Sequence, residues 1–582
     1  MAQTQIISPS TPQQRAWWKE ASVYQIYPAS YKDSTGTGVG DLKGIISKVD
    51  YLHTLGVDVV WLSPIFESPQ VDMGYDISNY LKIAPEYGDV ADVDTLMHAL
   101  HAKGMKLLLD LVVNHTSDQH EWFKQSRSSK DNEYRNWYVW KKPSYDEQGN
   151  RQPPNNWESH FQGNVWEYDE LTGEYYLHLF CKEQPDLNWE HPPVRDAVHA
   201  IMRFWLDRGI DGFRLDVINF ISKDQNFPQS VPSDAVLFPG AEYYATGPRL
   251  HEYLAGLGKI LNEYNAFSVG EMPFSRDPKE IIKSVKYDRN EMNMIFQFEH
   301  VDIDHGPQGK FSPGPWPLSK LKTIVSKWQR FMYDNGGWNA LYIENHDQPR
   351  SVSRFANDSP AHRVQSSKML ATFLGLQAGT TFVYQGQELG MTNVPKEWSL
   401  DEYKDIDCLN HWKLISSLTK DIDALTVAKQ EYQKKSRDNA RTPMQWDDSK
   451  NAGFTSAEAT PWMRPNDNFT TINADAQIQD TDSPFNYWRE VLKARKQYKD
   501  VIIYGSFELV DADHDQIFAY TRTAEDGRTI LVACNFSSET VSWNASLAKV
   551  EAVVLSNGGK TVESFSGGEV SLSPYETFAV LV

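Results

Sequence analysis

The chain has 582 residues, and its 78 acidic residues outnumber its 57 basic ones, which gives a formal net charge of −21. Apolar residues make up 40% of the chain and charged residues 23%, a composition typical of a globular protein and not of a disordered one. The negative charge argues against nucleic acid, phosphate-rich partners and anionic membranes, and it favours neutral substrates. The length favours two or three domains.

The cysteines and the N-terminal segment indicate the cellular compartment of the protein. Three scattered cysteines, Cys181, Cys408 and Cys534, predict neither a disulfide framework nor a metal cluster. Residues 1–15 are rich in Gln, Ser and Pro and lack an apolar core, so no secretory signal is predicted. No stretch of 18 apolar residues is long enough to span a membrane. These features predict a cytoplasmic protein, a monomer or a weak homo-oligomer, with no membrane or nucleic-acid partner.

Short apolar runs alternate with amphipathic segments over most of the chain. The runs predict eight buried strands, at Val23–Tyr27, Val57–Leu62, Lys106–Val113, Ile210–Val217, Phe267–Gly270, Ile295–Phe298, Ala340–Ile343 and Thr381–Tyr384. The amphipathic segments predict helices, for example at Asp41–Leu55, Val90–Lys103, Val194–Arg208 and Ser319–Tyr333. Eight such units predict a (β/α)₈ TIM barrel, and an open doubly wound sheet is the alternative. The barrel is favoured because polar residues follow many of the strands, where a barrel has its active site.

Two regions interrupt this alternation. About 75 residues, rich in Trp, separate the third strand from the next helix, and a loop of that length predicts a small inserted domain at the barrel mouth. From residue 506 onwards short alternating runs are separated by Asp526-Gly527 and Asn557-Gly558, which predict hairpins in an antiparallel β-sandwich. The predicted division is a catalytic barrel at 1–115 and 191–505, an inserted domain at 116–190 and a C-terminal β domain at 506–582.

Three acidic residues follow three of the predicted strands. Asp216 ends the fourth strand, Glu271 ends the fifth, and Asp347 follows the seventh. A single acid at a strand end is usually a cap or an ion-pair partner. Three carboxylates that converge on one cavity repel one another, which is costly unless their chemistry is used. We therefore predict that they form a catalytic site at the barrel mouth.

Neighbouring residues indicate which chemistry this site performs. His115 and His346 also lie at strand ends, where neutral imidazoles suit hydrogen bonds to a polyhydroxylated substrate. Arg214 lies two residues before Asp216, so both side chains point to one face of the strand, and its charge is expected to keep Asp216 ionised. A structural salt bridge is the alternative role for Arg214. Paired carboxylates, aromatic side chains and the absence of a cofactor motif indicate acetal hydrolysis.

Five short segments carry a family resemblance. They resemble, in order and spacing, the motifs of the α-amylase family of glycoside hydrolases, in its oligo-1,6-glucosidase and α-glucosidase branch. The resemblance covers nearly the whole chain, and the segments are Asp110–His115, Gln184–Asn188, Gly212–Val217, Val269–Met272 and Glu344–Arg350.

The resemblance implies roles for individual residues. Asp216 is implied as the nucleophile, Glu271 as the general acid/base and Asp347 as the acid that binds sugar hydroxyls in the transition state. It implies further substrate contacts from two groups of residues. His115, Arg214 and His346 line the catalytic centre, whereas Asp72, Tyr75 and Arg441 close the glucose pocket and make the enzyme exo-acting. Phe161 and Phe180 match aromatic positions that face the leaving-group sugar.

The segment Asp33–Asp41 resembles a calcium loop of many relatives, but it has Thr35 and Thr37 where relatives have Asn or Asp. Calcium binds six to eight oxygens, several of them from carboxylates. With only Asp33 and Asp41 left as good ligands, no required cofactor is predicted.

The leading interpretation is a retaining exo-α-glucosidase that acts on short oligosaccharides. A transglucosylase or sucrose isomerase on the same scaffold is the enzymatic alternative, but isomerases carry an Arg-rich loop after the sixth strand, where this chain has Phe298–Asp304. A non-catalytic sugar-binding or transporter-associated homologue is a third reading, disfavoured by the complete set of acids. Val217 resembles the residue that accompanies α-1,6 activity in this branch, whereas Asp407, in place of a Glu, is a departure near the leaving-group site.

Overall fold

The computed structural model describes residues 14–231, 238–306, 309–544, 549–566 and 568–582. Most of residues 1–15, for which no secretory signal is predicted, therefore lie outside the described residues. Within the described ranges, no helix has both the length and the apolar character needed to cross a membrane. All three cysteines are buried and unpaired.

Eight parallel strands form the central sheet. In chain order they are β1 (Ser22–Ile26), β2 (Val59–Leu62), β3 (Lys106–Leu111), β4 (Gly212–Leu215), β5 (Phe267–Glu271), β6 (Met294–Phe296), β7 (Ala340–Leu341) and β8 (Thr380–Tyr384). Neighbouring strands pair in the order β6-β5-β4-β3-β2-β1-β8-β7. A parallel bridge between Ile295 and Asn339 joins the two ends, which closes the sheet. The predicted TIM barrel is confirmed, and the open sheet is excluded.

Helices cover the outer face of the barrel, because both faces of a parallel sheet must be buried. One helix or a broken pair follows each strand, and the main ones are Val49–Leu55, Val90–Ala102, Pro192–Asp207, Leu250–Glu263, Pro278–Val285, Leu318–Asn335, Arg363–Gly375 and Pro484–Gln497. The predicted helix at residues 41–55 is broken into Leu42–Ile46 and Val49–Leu55. The remaining α-helices are Trp17–Glu20, Glu121–Ser128, Ala241–Tyr244, Ser351–Phe355, Ile406–Leu418, Ile422–Lys435, Asp438–Arg441, Ala474–Gln479 and Lys499–Ile502.

The segment after β3 leaves the barrel and returns to it at the same place. A bridge between His115 and Asp186 joins its two ends at the C-terminal edge of β3. Between them lie a helix and a three-stranded antiparallel sheet of Trp140–Lys141, Glu174–Leu177 and Trp166–Asp169, with Glu174–Leu177 in the centre. This small domain therefore stands over the barrel mouth.

The C-terminal domain has two antiparallel layers. Its strands are β9 (Ser506–Val510), β10 (Ile517–Thr523), β11 (Thr529–Asn535), β12 (Val541–Asn544), β13 (Ala552–Ser556), β14 (Glu569–Leu572) and β15 (Thr577–Leu581). Five pair in the order β9-β10-β11-β15-β13, and β12 pairs with β14. Apolar side chains from both layers pack between them.

One of the two predicted hairpins in this domain is wrong. Gly527, at φ 88°, makes the tight turn between β10 and β11, as its sequence predicts. The Asn557-Gly558 turn instead leads into a short 3₁₀ helix at Val562–Phe565, and β13 pairs with β15 rather than with the next strand. The side chain of Asn557 explains the difference, because it donates to Tyr575 O (2.9 Å) and accepts from Thr577 N (2.8 Å).

Candidate active site

Arg214 connects three carboxylates at the C-terminal end of the barrel. Its Nη1 donates to Asp110 Oδ1 (2.9 Å) and to Asp216 Oδ1 (2.5 Å), and its Nη2 donates to Glu271 Oε2 (2.5 Å). These residues come from β3, β4, the first residue beyond β4, and the end of β5, which are adjacent strands. One guanidinium thus brings Asp216 and Glu271 together, and all four side chains are buried.

The two acids have raised pKa values. Burial raises the pKa of Asp216 to about 7, and Arg214 only partly opposes this effect. Burial likewise raises the pKa of Glu271 to about 8, again against the charge of Arg214. Arg214 therefore acts in the expected direction at Asp216, where its charge favours the ionised form, but removal of water has the larger effect on the pKa.

Asp347 lies opposite this pair and is held by cations. Its Oδ1 accepts from Arg441 Nη2 (2.7 Å), while Arg441 Nε donates to the backbone oxygen of His346 (3.0 Å). Burial alone would raise the pKa of Asp347, but the guanidinium groups of Arg437 and Arg441 hold it well below its usual range. Asp347 is therefore an ionised acceptor, suited to sugar hydroxyls.

Arg437 is a second buried cation in the pocket. Its Nη2 donates to Asp72 Oδ1 (3.2 Å), and its Nε donates to Asp405 Oδ1 (2.7 Å). Its Nη1 lies 3.5 Å from Asp347 Oδ1. Arg437 thus joins Asp72 to Asp347, to which Arg441 also binds.

Tyr75 and His346 form one wall of the pocket. Their rings stack with centroids 5.4 Å apart and an angle of 7°. Tyr75 Oη lies 2.6 Å from His346 Nε2 and 3.2 Å from Asp110 Oδ2, and Gln25 Nε2 lies 2.8 Å from His346 Nδ1. Burial lowers the pKa of His346 to about 3, so the imidazole is neutral, as the sequence interpretation requires.

His115 is held at the entrance to the inserted domain. Its Nε2 lies 3.1 Å from the backbone oxygen of Tyr75 and 3.2 Å from Gln184 Nε2, which also reaches Asp72 Oδ2 (3.3 Å). Burial lowers the pKa of His115 to about 4. This network joins the motif around Gln184 in the inserted domain to the wall of the barrel pocket.

Aromatic side chains from the inserted domain cover the same opening. The ring of Phe180 lies 5.0 Å from that of His115 and 5.6 Å from that of Phe161, and the guanidinium of Arg437 lies 5.0 Å from the Phe161 ring. Asp407 lies beyond them, buried and paired with Lys310. Phe161 and Phe180, the predicted leaving-group residues, thus contact Arg437 and His115 of the pocket.

Val217 lies directly between the two acids. Its N–H donates to Glu271 Oε2 (3.3 Å), and its side chain is buried. It adopts φ 32° and ψ 44°, at the start of the 3₁₀ turn Ile218–Phe220. The predicted specificity residue is therefore in contact with the catalytic centre through its backbone.

The two carboxylates of the segment 33–41 accept hydrogen bonds from several protein donors. Asp33 Oδ1 accepts the N–H of Thr35 (2.8 Å), while Asp33 Oδ2 accepts the N–H of Gly38 (2.7 Å) and the hydroxyl of Thr455 (2.5 Å). Asp41 similarly accepts from backbone and side-chain donors of the loop. Because both carboxylates already have these partners, the residues present do not fit a calcium site.

We expect that removal of calcium leaves the enzyme unchanged. The protein donors at Asp33 and Asp41 supply the charge compensation that a cation would otherwise give. Activity should be the same before and after EDTA treatment, and the melting temperature should change by less than about 1 °C. A fall of several degrees that added calcium reverses, and magnesium does not, would contradict this prediction.

Sequence reasoning missed several of the residues that complete the site. Asp110 and Gln184 belong to the family segments but have no individual role implied there, and Arg437 and Asp405 lie outside these segments. Arg437 lies four residues before Arg441, on the same side of a short helical turn, which is the one local signal that could have indicated it.

Comparison with known proteins places these features in a family. The family described as "Alpha amylase, catalytic domain" matches residues 25–505, and "Maltogenic Amylase, C-terminal domain" matches residues 507–578. An alpha-glucosidase of Schizosaccharomyces pombe is 51% identical over 573 residues, which cover 98% of this chain and 99% of that protein. An oligo-1,6-glucosidase of Parageobacillus thermoglucosidasius is 51% identical over 529 residues, 90% and 92% of the two chains.

A solved structure, that of the isomaltulose synthase of Erwinia rhapontici, superimposes with a TM-score of 0.92. It is 38% identical and covers 98% of this chain and 99% of its own. The similarity therefore extends over both the catalytic barrel and the C-terminal domain.

Proposed function

The chain belongs to the alpha-amylase family of glycoside hydrolases, and we propose that it is a retaining, exo-acting α-glucosidase that releases α-glucose from short α-glucosides. The observation that carries this proposal is the pair Asp216 and Glu271 on one buried guanidinium. Retaining glycosidases hold their two carboxyl groups only about 5–5.5 Å apart, whereas inverting enzymes leave room for a water molecule. Two acids bound to adjacent nitrogens of Arg214 support the short separation.

In the first step Asp216 attacks the anomeric carbon. The bond from this carbon to the Asp216 carboxylate forms while the bond to the leaving oxygen breaks, and Glu271 gives its proton to that oxygen. The raised pKa of Glu271, about 8, keeps the proton available at neutral pH. The product is a covalent glucosyl-enzyme with an ionised Glu271.

In the second step water displaces Asp216 from the anomeric carbon. Glu271 takes a proton from the water molecule, whose oxygen attacks the anomeric carbon as the bond to Asp216 breaks. Two displacements at one carbon restore the α configuration. Any sugar hydroxyl that occupies the place of this water gives transfer instead of hydrolysis, so some transglucosylation is expected at high sugar concentration.

The far end of the pocket supports exo action. Asp72, Arg437, Asp347 and Arg441 form a chain of three ion pairs there, in which Asp347 is the partly exposed member, at 29%, and the other three are buried. Charged groups of this kind hydrogen-bond the hydroxyls of a terminal glucose, and the family resemblance implies that they close this end of the pocket. The substrate is therefore a short oligosaccharide held by its non-reducing end.

The stereochemistry of the first product tests this proposal. Proton NMR spectra recorded during the first minutes of reaction with isomaltose or an aryl α-glucoside should show α-glucose before mutarotation. Predominant β-glucose would exclude the retaining mechanism, and the absence of any glucose release would exclude the glucosidase.

Sucrose isomerisation is the second candidate, and the resemblance to the isomaltulose synthase favours it. Here the loop after β6 uses Asp304 to hold Arg354 and Lys435 in ion pairs (2.5 and 2.7 Å). These cations are thus engaged with an acid rather than directed towards a substrate. Sucrose incubation followed by chromatography should give glucose and fructose, whereas isomaltulose as the main product would support the isomerase.

The pH dependence of kcat/KM should be bell-shaped. Asp216 must be ionised, so activity rises with pH through its pKa of about 7. Glu271 must be protonated, so activity falls through its pKa of about 8. Initial rates from pH 5 to pH 10 measure both limbs, and loss of the basic limb in Glu271→Gln, assayed on an aryl α-glucoside, would confirm its assignment.

We expect isomaltose to be cleaved at least as well as maltose, and Val217→Thr to shift this ratio towards maltose. A branched apolar side chain beside the nucleophile narrows the space for the leaving sugar. An α-1,6 link has an additional rotatable bond, so its leaving sugar can turn away from this side chain more easily than that of an α-1,4 link. A difference of one methyl-sized group is worth about 1–3 kcal/mol. The measurement is kcat/KM on both sugars. A wild-type preference for maltose of more than about tenfold that Val217→Thr does not alter would contradict the assignment.

A further inference from the structure

The residue after the proposed nucleophile has a strained backbone. Val217 is in the left-handed region, where a side chain branched at Cβ is unfavourable. Among described non-glycine residues with positive φ, only Val217 and Thr246 are β-branched. Strained conformations of this kind persist where the surrounding structure enforces them, and they are concentrated at functional sites.

The surroundings of Val217 enforce its conformation from three sides. The preceding residue, Asp216, still donates its N–H to Leu111 O of β3 (3.0 Å), so the strand ladder ends there. The Val217 carbonyl then accepts the N–H of Phe220 (2.8 Å), which begins the 3₁₀ turn. Its side chain is buried in a cluster of apolar side chains that includes Trp157. The chain must therefore turn sharply at Val217.

This turn directs a backbone donor at the acid/base. The Val217 N–H lies 3.3 Å from Glu271 Oε2, the oxygen that also accepts from Arg214 Nη2 (2.5 Å). No described group makes a hydrogen bond to Glu271 Oε1. Building on the proposed function, we infer that the Val217 amide is a positioning group: with Arg214 it keeps Oε2 as an acceptor, so that Oε1 carries the catalytic proton.

The inference divides the two oxygens of Glu271 between two tasks. In the first step the O–H bond at Oε1 breaks as the leaving oxygen takes the proton, and the new negative charge is stabilised at Oε2 by two N–H donors. In the second step Oε1 takes a proton from water. The Val217 hydrogen bond favours the ionised form, so it lowers the pKa of Glu271 against the larger effect of burial.

The test removes the donor and keeps the side chain. Introducing 2-hydroxy-3-methylbutanoic acid at position 217 by nonsense suppression replaces the amide N–H with an ester oxygen. The basic limb of the kcat/KM profile on isomaltose should move up by about half a pH unit. kcat/KM on isomaltose should fall about tenfold, because proton transfer to its leaving oxygen is essential. On p-nitrophenyl α-glucoside, whose leaving group needs no proton, the fall should be less than about twofold.

The matched control is the equivalent ester at Phe220. It removes a hydrogen bond of the same turn, to Val217 O, but leaves the donor to Glu271 in place. It should lower the melting temperature. It should change neither the basic limb of the pH profile nor the ratio of kcat/KM on isomaltose to kcat/KM on p-nitrophenyl α-glucoside. An unchanged limb and ratio in the position-217 ester would overturn the inference, as would equal changes in both esters. If the unmodified protein released glucose from neither substrate, the proposed function itself would fail, and this inference with it.

Discussion

Asp216→Asn is expected to lower kcat for glucose release by about four orders of magnitude or more while the fold is retained. The amide is nearly isosteric, but it cannot form the bond to the anomeric carbon. Its oxygen can still accept from Arg214 Nη1, which donates to Asp216 Oδ1 at 2.5 Å. This loss corresponds to about 5 kcal/mol or more of transition-state stabilisation.

Glucose release and the melting temperature measure the two parts of this prediction. Glu271→Gln is the matched control, because it should lose most of its activity on isomaltose and much less on an aryl α-glucoside. Asp216→Asn should lose its activity on the two substrates to the same extent. Activity of Asp216→Asn within about a hundredfold of wild type on either substrate would exclude Asp216 as the nucleophile.

Arg437→Met is expected to lower both activity and stability. The guanidinium is buried and compensates Asp72, Asp405 and Asp347, whereas Met replaces only the apolar part of the side chain and carries no charge. Removing one partner from a buried ionic network leaves uncompensated charges and costs about 3–5 kcal/mol. With the acids of the glucose pocket misplaced, kcat/KM should fall about a thousandfold.

Denaturant unfolding and kcat/KM on isomaltose measure the two effects. Arg464→Met is the matched control, since Arg464 also pairs with two acids, Glu402 and Asp467, but its side chain is 45% exposed. An exposed pair of this kind contributes at most about 1 kcal/mol. Equal stability losses in the two variants would show that Arg437 is not the key cation of the pocket.

The family resemblance indicated the pocket residues Asp72 and Arg441, but the partners inside the pocket depend on distant parts of the chain. Asp72 lies between β2 and β3, and its cation, Arg437, lies after β8, so no local pattern connects them. The same holds for Gln184 in the inserted domain, which reaches His115 and Asp72. Contacts over such separations are decided by barrel closure, not by local spacing.

The set of elements and the place of the chemistry follow from the sequence alone. Period-two alternation, buried apolar runs and acids at strand ends are local properties, and parallel strands in a barrel bring their C-terminal ends together. Arg214 and Asp216 are two residues apart at the end of one strand. The pleat of a strand places side chains with this spacing on the same face.

The protonation of the acids and the direction of the Val217 amide depend instead on how the whole chain packs. The pKa of Asp216 is a balance between an attractive cation, visible in the sequence, and desolvation, which depends on every element packed around it. Val217 favours strand geometry by its intrinsic preference, yet the turn into Ile218–Phe220 forces it into the left-handed region. Burial and enforced strain are properties of the packed molecule, because they arise from neighbours that are distant in sequence.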